Sequence, residues 1–373
     1  MSTNPRIYLD FNATAPLGDD VRAVMTAAMA DPGNPSSVHA EGRRARDHIE
    51  RARNQVAYLL GRAREQVVFT SGGTEGNTLG VLGLAAVAER RGLPRVVAAA
   101  AIDHPSLRGA VAALVARGWQ LRILGVTGDG ALEVGSLAGT GLVAVSAVNH
   151  ELGTVADPRV IAAARAAGAL VHVDAVQAAG KLPLADLDAD ALVISAHKIG
   201  GPQGTGALAI ACDEGLPLIE AGHQERGRRP GTENTLGIVG FGAAAETCDP
   251  AAWPAVRALG DRLEAGLVRI SGVRIHGEGA PRAGGTINAG FAGARGEAIV
   301  IALDLAGIAA STGAACTSGS IQPSPVLLGL GLSPDQAREA VRFSLGRTTT
   351  AAEIDAVLEC LPAIVARARA HRA

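Results

Sequence analysis

The chain has 373 residues, a formal net charge of -2, 48% hydrophobic residues and 2% aromatic residues. That length can bury a large core and predicts more than one domain, or one large domain with a smaller one appended. Near-neutral charge and scarce aromatic rings exclude an electrostatic or base-stacking case for nucleic acid, and the apolar runs are interrupted, as by Asp304 within Ile299 to Ile308, so no segment reads as membrane-spanning.

The first residues, Ile7 to Asp10, predict a short strand, and Asn12 to Pro16 a turn. From Glu41 to Leu60 the pattern is helical, with Arg43, Arg44, Asp47, Glu50 and Arg51 spaced to form a solvated face. Short β-rich runs follow at Gln66 to Thr70, Arg95 to Val97, Gln120 to Leu124, Gly141 to Val148, Leu170 to Asp174 and Ala191 to Ser195. They alternate with alanine-rich helical segments, which predicts an α/β fold with a mainly parallel sheet covered by helices on both faces. Asp249-Pro250 and Trp253-Pro254 mark a boundary between a large domain, 14–249, and a smaller α+β domain, 1–13 plus 250–373. In the latter, the spacing predicts a helix through Ile270 and strands at Val273 to His276 and Thr286 to Asn288. A helix at Glu297 to Ala306, a strand at Val341 to Leu345 and a terminal helix complete it. Ser333-Pro-Asp-Gln336 and Thr350-Ala-Ala-Glu353 have capping-box spacing and predict helix starts.

Candidate chemistry centres on Val193-Ile-Ser-Ala-His-Lys-Ile-Gly-Gly-Pro202. The only lysines are Lys181 and Lys198, and arginine supplies every other fixed positive side chain. A guanidinium serves as a solvated charge as well as an ammonium does, but only a primary amine forms a Schiff base. Lys198 follows an apolar β run and precedes a Gly-Gly-Pro turn, the end of a strand where open α/β sheets hold ligands. Lys181, ahead of Leu182-Pro183, reads as a charge in a polar connection. Ser71-Gly-Gly-Thr-Glu-Gly-Asn77 runs from a strand into a helix start, which is either a turn or an anion site built from free N–H groups and the Thr74 hydroxyl. Asp174 ends an apolar strand, where it either caps the next helix or keeps a partner cation. A Schiff-base lysine, a phosphate site and a carboxylate able to hold a pyridine nitrogen protonated converge on one cofactor, pyridoxal phosphate.

The four cysteines, Cys212, Cys248, Cys316 and Cys360, are too scattered for a disulfide framework or a zinc site, and they fit a reducing compartment. The start, Met1-Ser-Thr-Asn-Pro-Arg6, lacks the apolar stretch of a signal peptide, so a cytoplasmic location is expected. Cys212, Cys248 and Cys360 read as small buried hydrophobes. Cys316, among the small residues of Ser311-Thr-Gly-Ala-Ala-Cys-Thr-Ser-Gly-Ser320, reads as a nucleophile on a flexible surface loop. Arg342 is either a strand charge or a clamp for a substrate carboxylate.

These motifs together resemble the cysteine desulfurases of the class V aminotransferase family, in the group whose active cysteine lies in a Cys-Thr-Ser loop. The resemblance is carried by Tyr8-Leu-Asp10, Gly33-Asn-Pro-Ser-Ser37, Thr70-Ser-Gly-Gly-Thr-Glu75, Asp103-His-Pro105, Asn149-His-Glu-Leu-Gly153 and His172-Val-Asp-Ala-Val-Gln177. Ser195-Ala-His-Lys198, Glu225-Arg-Gly-Arg-Arg-Pro-Gly-Thr232, Cys316-Thr-Ser318 and Arg342-Phe-Ser344 extend it nearly end to end. It implies the fold type I of pyridoxal-phosphate enzymes and a reaction that converts L-cysteine to L-alanine with a persulfide left on Cys316. Selenocysteine lyase, another class V enzyme and a non-catalytic persulfide relay are the alternatives.

The resemblance also implies roles for individual residues. Lys198 would anchor the cofactor and move the Cα proton, while His104 would stack on the ring. Asp174 would pair with the ring nitrogen and Gln177 with the ring hydroxyl. Gly73, Thr74, Ser195 and His197 would hold the phosphate, joined by Thr232 from the second subunit of a homodimer. Asn34 and Arg342 would bind substrate. His150 stands where the family usually has an asparagine that contacts the ring or substrate, which bears on substrate preference and pH optimum. The sulfur acceptor would be an iron-sulfur scaffold or a relay protein, with Cys316 at most a transient iron-sulfur ligand and no resident metal. The chain ends soon after Arg372, without the longer extension some relatives use to dock a scaffold.

Overall fold

The computed structural model describes residues 6–211, 220–313 and 322–370, so Cys212 and Cys316 lie outside the described residues. The β-rich runs form β1 (Ile7–Tyr8), β2 (Val67–Thr70), β3 (Val96–Ala100), β4 (Gln120–Leu124), β5 (Leu142–Ser146) and β6 (Leu170–Asp174). They continue as β7 (Ala191–Ser195), β8 (Gly206–Ile210), β9 (Val273–His276), β10 (Thr286–Phe291), β11 (Ile308–Ala309) and β12 (Ala340–Ser344). Seven of these make one sheet in the order β2–β8–β7–β6–β5–β3–β4. The β4–β3, β3–β5, β5–β6 and β6–β7 pairs are parallel, and β8 runs antiparallel to both its neighbours. This mainly parallel α/β sheet is buried on both faces, as such sheets are. Val56, Phe69 and Phe241 belong to the core on one side, and Val68, Leu84 and Leu114 to the core on the other.

β8 and the two-residue β11 are strands that local reading misses. In β8, Gly-Ala-Leu-Ala-Ile has little β-branching to mark it, and it is a strand because its place between β2 and β7 buries all five residues. On one face the Gly73–Arg90 helix lies unusually close to the sheet. A Cβ on Gly80 would sit 2.6 Å from His172 Nδ1, so the close approach requires glycine, and it brings Asn77, one turn earlier, over the end of β6.

A separate core gathers Leu9, Trp253, Leu263, Phe291, Phe343 and Leu361. It lies against the three-stranded sheet β12–β10–β9 and the helices Trp253–Leu267, Gly296–Leu305 and Ala351–Ala370. The N-terminal segment joins it, because β1 pairs with β11 and Asp10 bridges Ser344. Both expected capping boxes are present. Ser333 and Gln336 exchange side-chain-to-backbone bonds, and so do Thr350 and Glu353. Among the described residues no helix is long and apolar enough to cross a membrane.

Candidate active site

A cavity of about 420 Å³ opens at the carboxyl ends of β5, β6 and β7, where Ser146, Asp174 and Ser195 line it. That is where an open α/β sheet holds ligands. Asp174 is buried, with Oδ1 accepting from Val176 N at 3.0 Å and Oδ2 from Asn77 Nδ2 at 2.7 Å. Burial raises its pKa despite these bonds, and among the described residues no cationic side chain forms an ion pair with it. The carboxylate therefore favours a protonated nitrogen brought to it.

At one end of the cavity the chain leaves β2 and enters the Gly73–Arg90 helix through Gly72, which offers no side chain to cap the helix. The first N–H groups of that helix are left for an external acceptor, in the field of a positive helix end. Gly73, Thr74, Ser195 and His197 line both this cavity and an adjoining hollow of about 380 Å³. Burial lowers the His197 pKa to about 4, and its Nδ1 lies 3.3 Å from the Thr14 hydroxyl.

Lys198 ends the turn that follows β7 and donates to the carbonyls of Asn12 at 2.5 Å and Ala13 at 2.9 Å. Burial, with help from the Arg342 charge and against those of Asp10 and Asp174, brings its pKa down to about 8. His104 caps the Pro105–Val115 helix, its Nδ1 accepting from Ser106 N at 3.1 Å and lying 2.7 Å from Ser106 Oγ. Asn77 donates to that same hydroxyl at 3.0 Å, so the Ser106 O–H is turned toward His104 Nδ1, and the imidazole proton is left on Nε2. The His104 ring meets His150 edge-to-face, with centroids 4.9 Å apart. Burial, then the His104 and Arg342 charges, hold His150 well below the usual histidine pKa, so the site gains a neutral ring and no titrating charge near neutral pH.

On the opposite wall, Arg342 of β12 is buried, its Nη2 on Asp10 at 2.8 Å and its Nη1 on the His150 carbonyl at 3.0 Å. Its Nε, buried from solvent, has no hydrogen-bond partner among the described residues. Gly313, three residues before Cys316, also lines the cavity, and a Cβ there would stand 2.8 Å from Glu151 Oε2.

Of the residues expected from sequence, Gly73, Thr74, His104, His150, Asp174, Gln177, Ser195, His197, Lys198 and Arg342 converge on this cavity. Asn34 and Thr232 are exposed and do not line it within one chain. Cys248 and Cys360, read as buried, are only partly so. Lys181 corrects its reading as a polar-connection charge. Its Nζ lies against Asn12 Oδ1 at 2.9 Å, Gln177 Oε1 at 3.0 Å and the Trp253 ring at 5.4 Å, and burial lowers its pKa to about 7.

Sequence reading gave no role to Asn12, Asn77 or Asp10. A signal existed for Asn77, a polar residue in an otherwise apolar helix face that had to find a partner once buried. None existed for Asn12, whose bonds reach Ser344, Thr286 and His150 across the chain. The donor set fits pyridoxal phosphate, with an unpaired buried carboxylate, an uncapped helix start and an amine of lowered pKa around one cavity.

The sequence matches the family aminotransferase class-V over residues 7–357. Cysteine desulfurase 2 of Trichormus variabilis is 41% identical to it over 98% of this chain and 94% of that protein. Among solved structures, a NifS-like protein superposes with a TM-score of 0.87 at 30% identity, covering 97% of this chain and 100% of that one. SspA in complex with cysteine gives 0.79 at 28% identity over 92% and 100% of the two chains. Members of this family depend on pyridoxal phosphate, and their fold is the type I fold seen here. The chain belongs to the aminotransferase class-V family, in its cysteine desulfurase group.

Proposed function

We propose that the chain is a pyridoxal-phosphate-dependent cysteine desulfurase that converts L-cysteine to L-alanine and leaves the sulfur as a persulfide on Cys316. The observation that carries this is the convergence of Lys198, Asp174 and the uncapped Gly73–Thr74 helix start on one cavity, with Arg342 in its wall. Gly73, Thr74, Ser195 and His197 would hold the phosphate. Asp174 would hold the ring nitrogen, Gln177 the ring oxygen and His104 a ring face, and Lys198 would be the covalent anchor. When bound, the cofactor supplies an electron sink for the pair released at the substrate Cα.

The chain's own residues would do the rest. Arg342 orients the substrate carboxylate, with its own position fixed by Asp10. The Lys198 amine takes the Cα proton and returns one, a task helped by a pKa of about 8, near its working range. The Cys316 thiolate attacks the substrate sulfur. An S–S bond forms, the C–S bond breaks with its electron pair left on the β-carbon, and a proton delivered there completes alanine. No outside oxidant or reductant is needed.

Residues 14–249 would form the cofactor-binding domain, and 1–13 with 250–373 the domain that bears Cys316. Thr232 would complete the phosphate site of a second copy in a homodimer. The persulfide would pass to an iron-sulfur scaffold or relay protein in the cytoplasm. The direct test is Cys316→Ala, which should bind cofactor with unchanged visible absorbance and release no alanine above background from L-cysteine. Retention of full turnover by that variant rules the assignment out.

A further inference from the structure

The second lysine has no place in the mechanism above, yet it is built into the site's supporting layer. Lys181 stands four residues after Gln177 and lines a separate cavity of about 360 Å³, while Gln177 faces the candidate active site. Its amine donates to Gln177 Oε1 at 3.0 Å and Asn12 Oδ1 at 2.9 Å. An ammonium aimed at two carboxamides must meet the oxygen of each, and that settles which way both amides face. Asn12 then points its Nδ2 at the His150 carbonyl, 3.1 Å away, and at Thr286 Oγ1, 3.0 Å away. Gln177 points its Nε2 at the Asn12 carbonyl, 2.9 Å away, and that NH₂ group keeps one proton to give. Without the lysine, only the Asn12 carbonyl would be left to hold the nitrogen of the Gln177 amide on its side, and one of the two contacts that fix the amide would be lost.

We propose that Lys181 is a positioning residue for the reaction, fixing the Gln177 carboxamide so that an N–H donor faces the ring oxygen of the cofactor. The inference rests on the reading that Gln177 bonds that oxygen. The positioning is strict for the ammonium form, which can only donate; the neutral amine still has an N–H for each of the two oxygens but also a lone pair that an amide N–H could meet.

The experiment is a double-mutant cycle on the full-length protein with Lys181→Met, Gln177→Leu and both together. Two quantities are read for each: the dissociation constant of pyridoxal phosphate from titration of the stripped protein, and the pH midpoint of the visible band of the loaded one. Each single variant should bind about tenfold more weakly, the scale of one hydrogen bond to a charged group. Each should also move the midpoint in the same direction, which a merely structural lysine would not do. The double variant should be no worse than Gln177→Leu alone. Losses that multiply in the double variant, or a Lys181→Met protein with unchanged affinity and midpoint, overturn the proposal while leaving the Gln177 assignment intact. An unchanged Gln177→Leu protein removes that assignment and the proposal with it. Should Lys181→Met not fold, Lys181→Gln keeps a donor one bond shorter in reach, and a smaller shift with the same non-additivity is expected.

Discussion

The chemistry of the site depends on how single side chains are desolvated. Lys198 is a lysine whose amine is neutral far below the ordinary range, because burial penalises its charged form and the Arg342 guanidinium repels it. Only the neutral amine is a nucleophile. The rate at which the cofactor-free protein takes up pyridoxal phosphate should therefore rise with pH and level off above about 8, where an unperturbed lysine would level off near 10.5. Following the visible band after mixing measures this. Arg342→Met removes one of the charges that lower the amine, so the inflection should move upward; an inflection that stays in place means burial alone sets it. His150 is governed by the same physics with a different result. The ring stays uncharged where the family's asparagine would be, so the replacement preserves a polar neutral neighbour and changes its shape.

At the scale of elements, a buried ion pair ties the helix Ala40–Leu60 to the stretch around residue 225. Arg53 and Glu225 form a two-pronged pair at 2.8 and 2.6 Å, with side chains only 5% and 1% exposed. Glu225 also accepts from the Phe69 amide at 2.7 Å, which occupies a donor on the edge strand β2. The pair holds Glu225 and Arg226 in left-handed backbone, with φ of 47° and 58°, a conformation non-glycine residues adopt at a cost. Removing Glu225 leaves the buried Arg53 with only Glu50 and the Val67 carbonyl as partners, so Glu225→Ala should destabilise the protein by about 3 kcal/mol, the low end for a broken buried pair, in denaturant unfolding. Glu225→Leu combined with Arg53→Met should recover most of that loss. A small effect of the single variant would mean that water enters and solvates Arg53.

The elements differ in how far they could be read beforehand. Strands such as Leu170–Asp174, whose β-branched run and terminal carboxylate sit together in sequence, were legible. So was the strand-turn-lysine of Ser195 to Lys198, because its signal is local. β8 was not, since alanines take their strand identity from their neighbours. The support under the site was also hidden, because Asn12 collects its partners from residues 150, 286 and 344. Lys181 was misjudged for the same reason, since the adjacent proline and leucine say nothing of Asn12 or Trp253 above it.

For the molecule as a whole, the two half-buried lysines reverse a common expectation. In the folded, cofactor-free protein they titrate near 7 and 8, and in the unfolded chain near 10.5. Between these values the unfolded state binds more protons than the folded one, so stability rises with pH, each lysine contributing at most about 1.4 kcal/mol per pH unit. Above pH 9 the balance shifts, because the Cys248 thiol, pushed up by burial to about 11, stays protonated in the fold and ionises in the unfolded chain from 9.0 upward. The thermal midpoint of the cofactor-free protein should therefore climb from pH 7 to 9 and then climb less steeply, because the one thiol offsets only part of the contribution of the two lysines. Lys181→Met removes the part of the climb that begins at neutrality, and loading with pyridoxal phosphate, which would engage the Lys198 amine, removes the part that begins near pH 8. A midpoint that falls steadily from pH 7 to 9 in the unloaded protein would show that both amines keep their protons in the fold, and would withdraw the low-pKa base from the proposed chemistry.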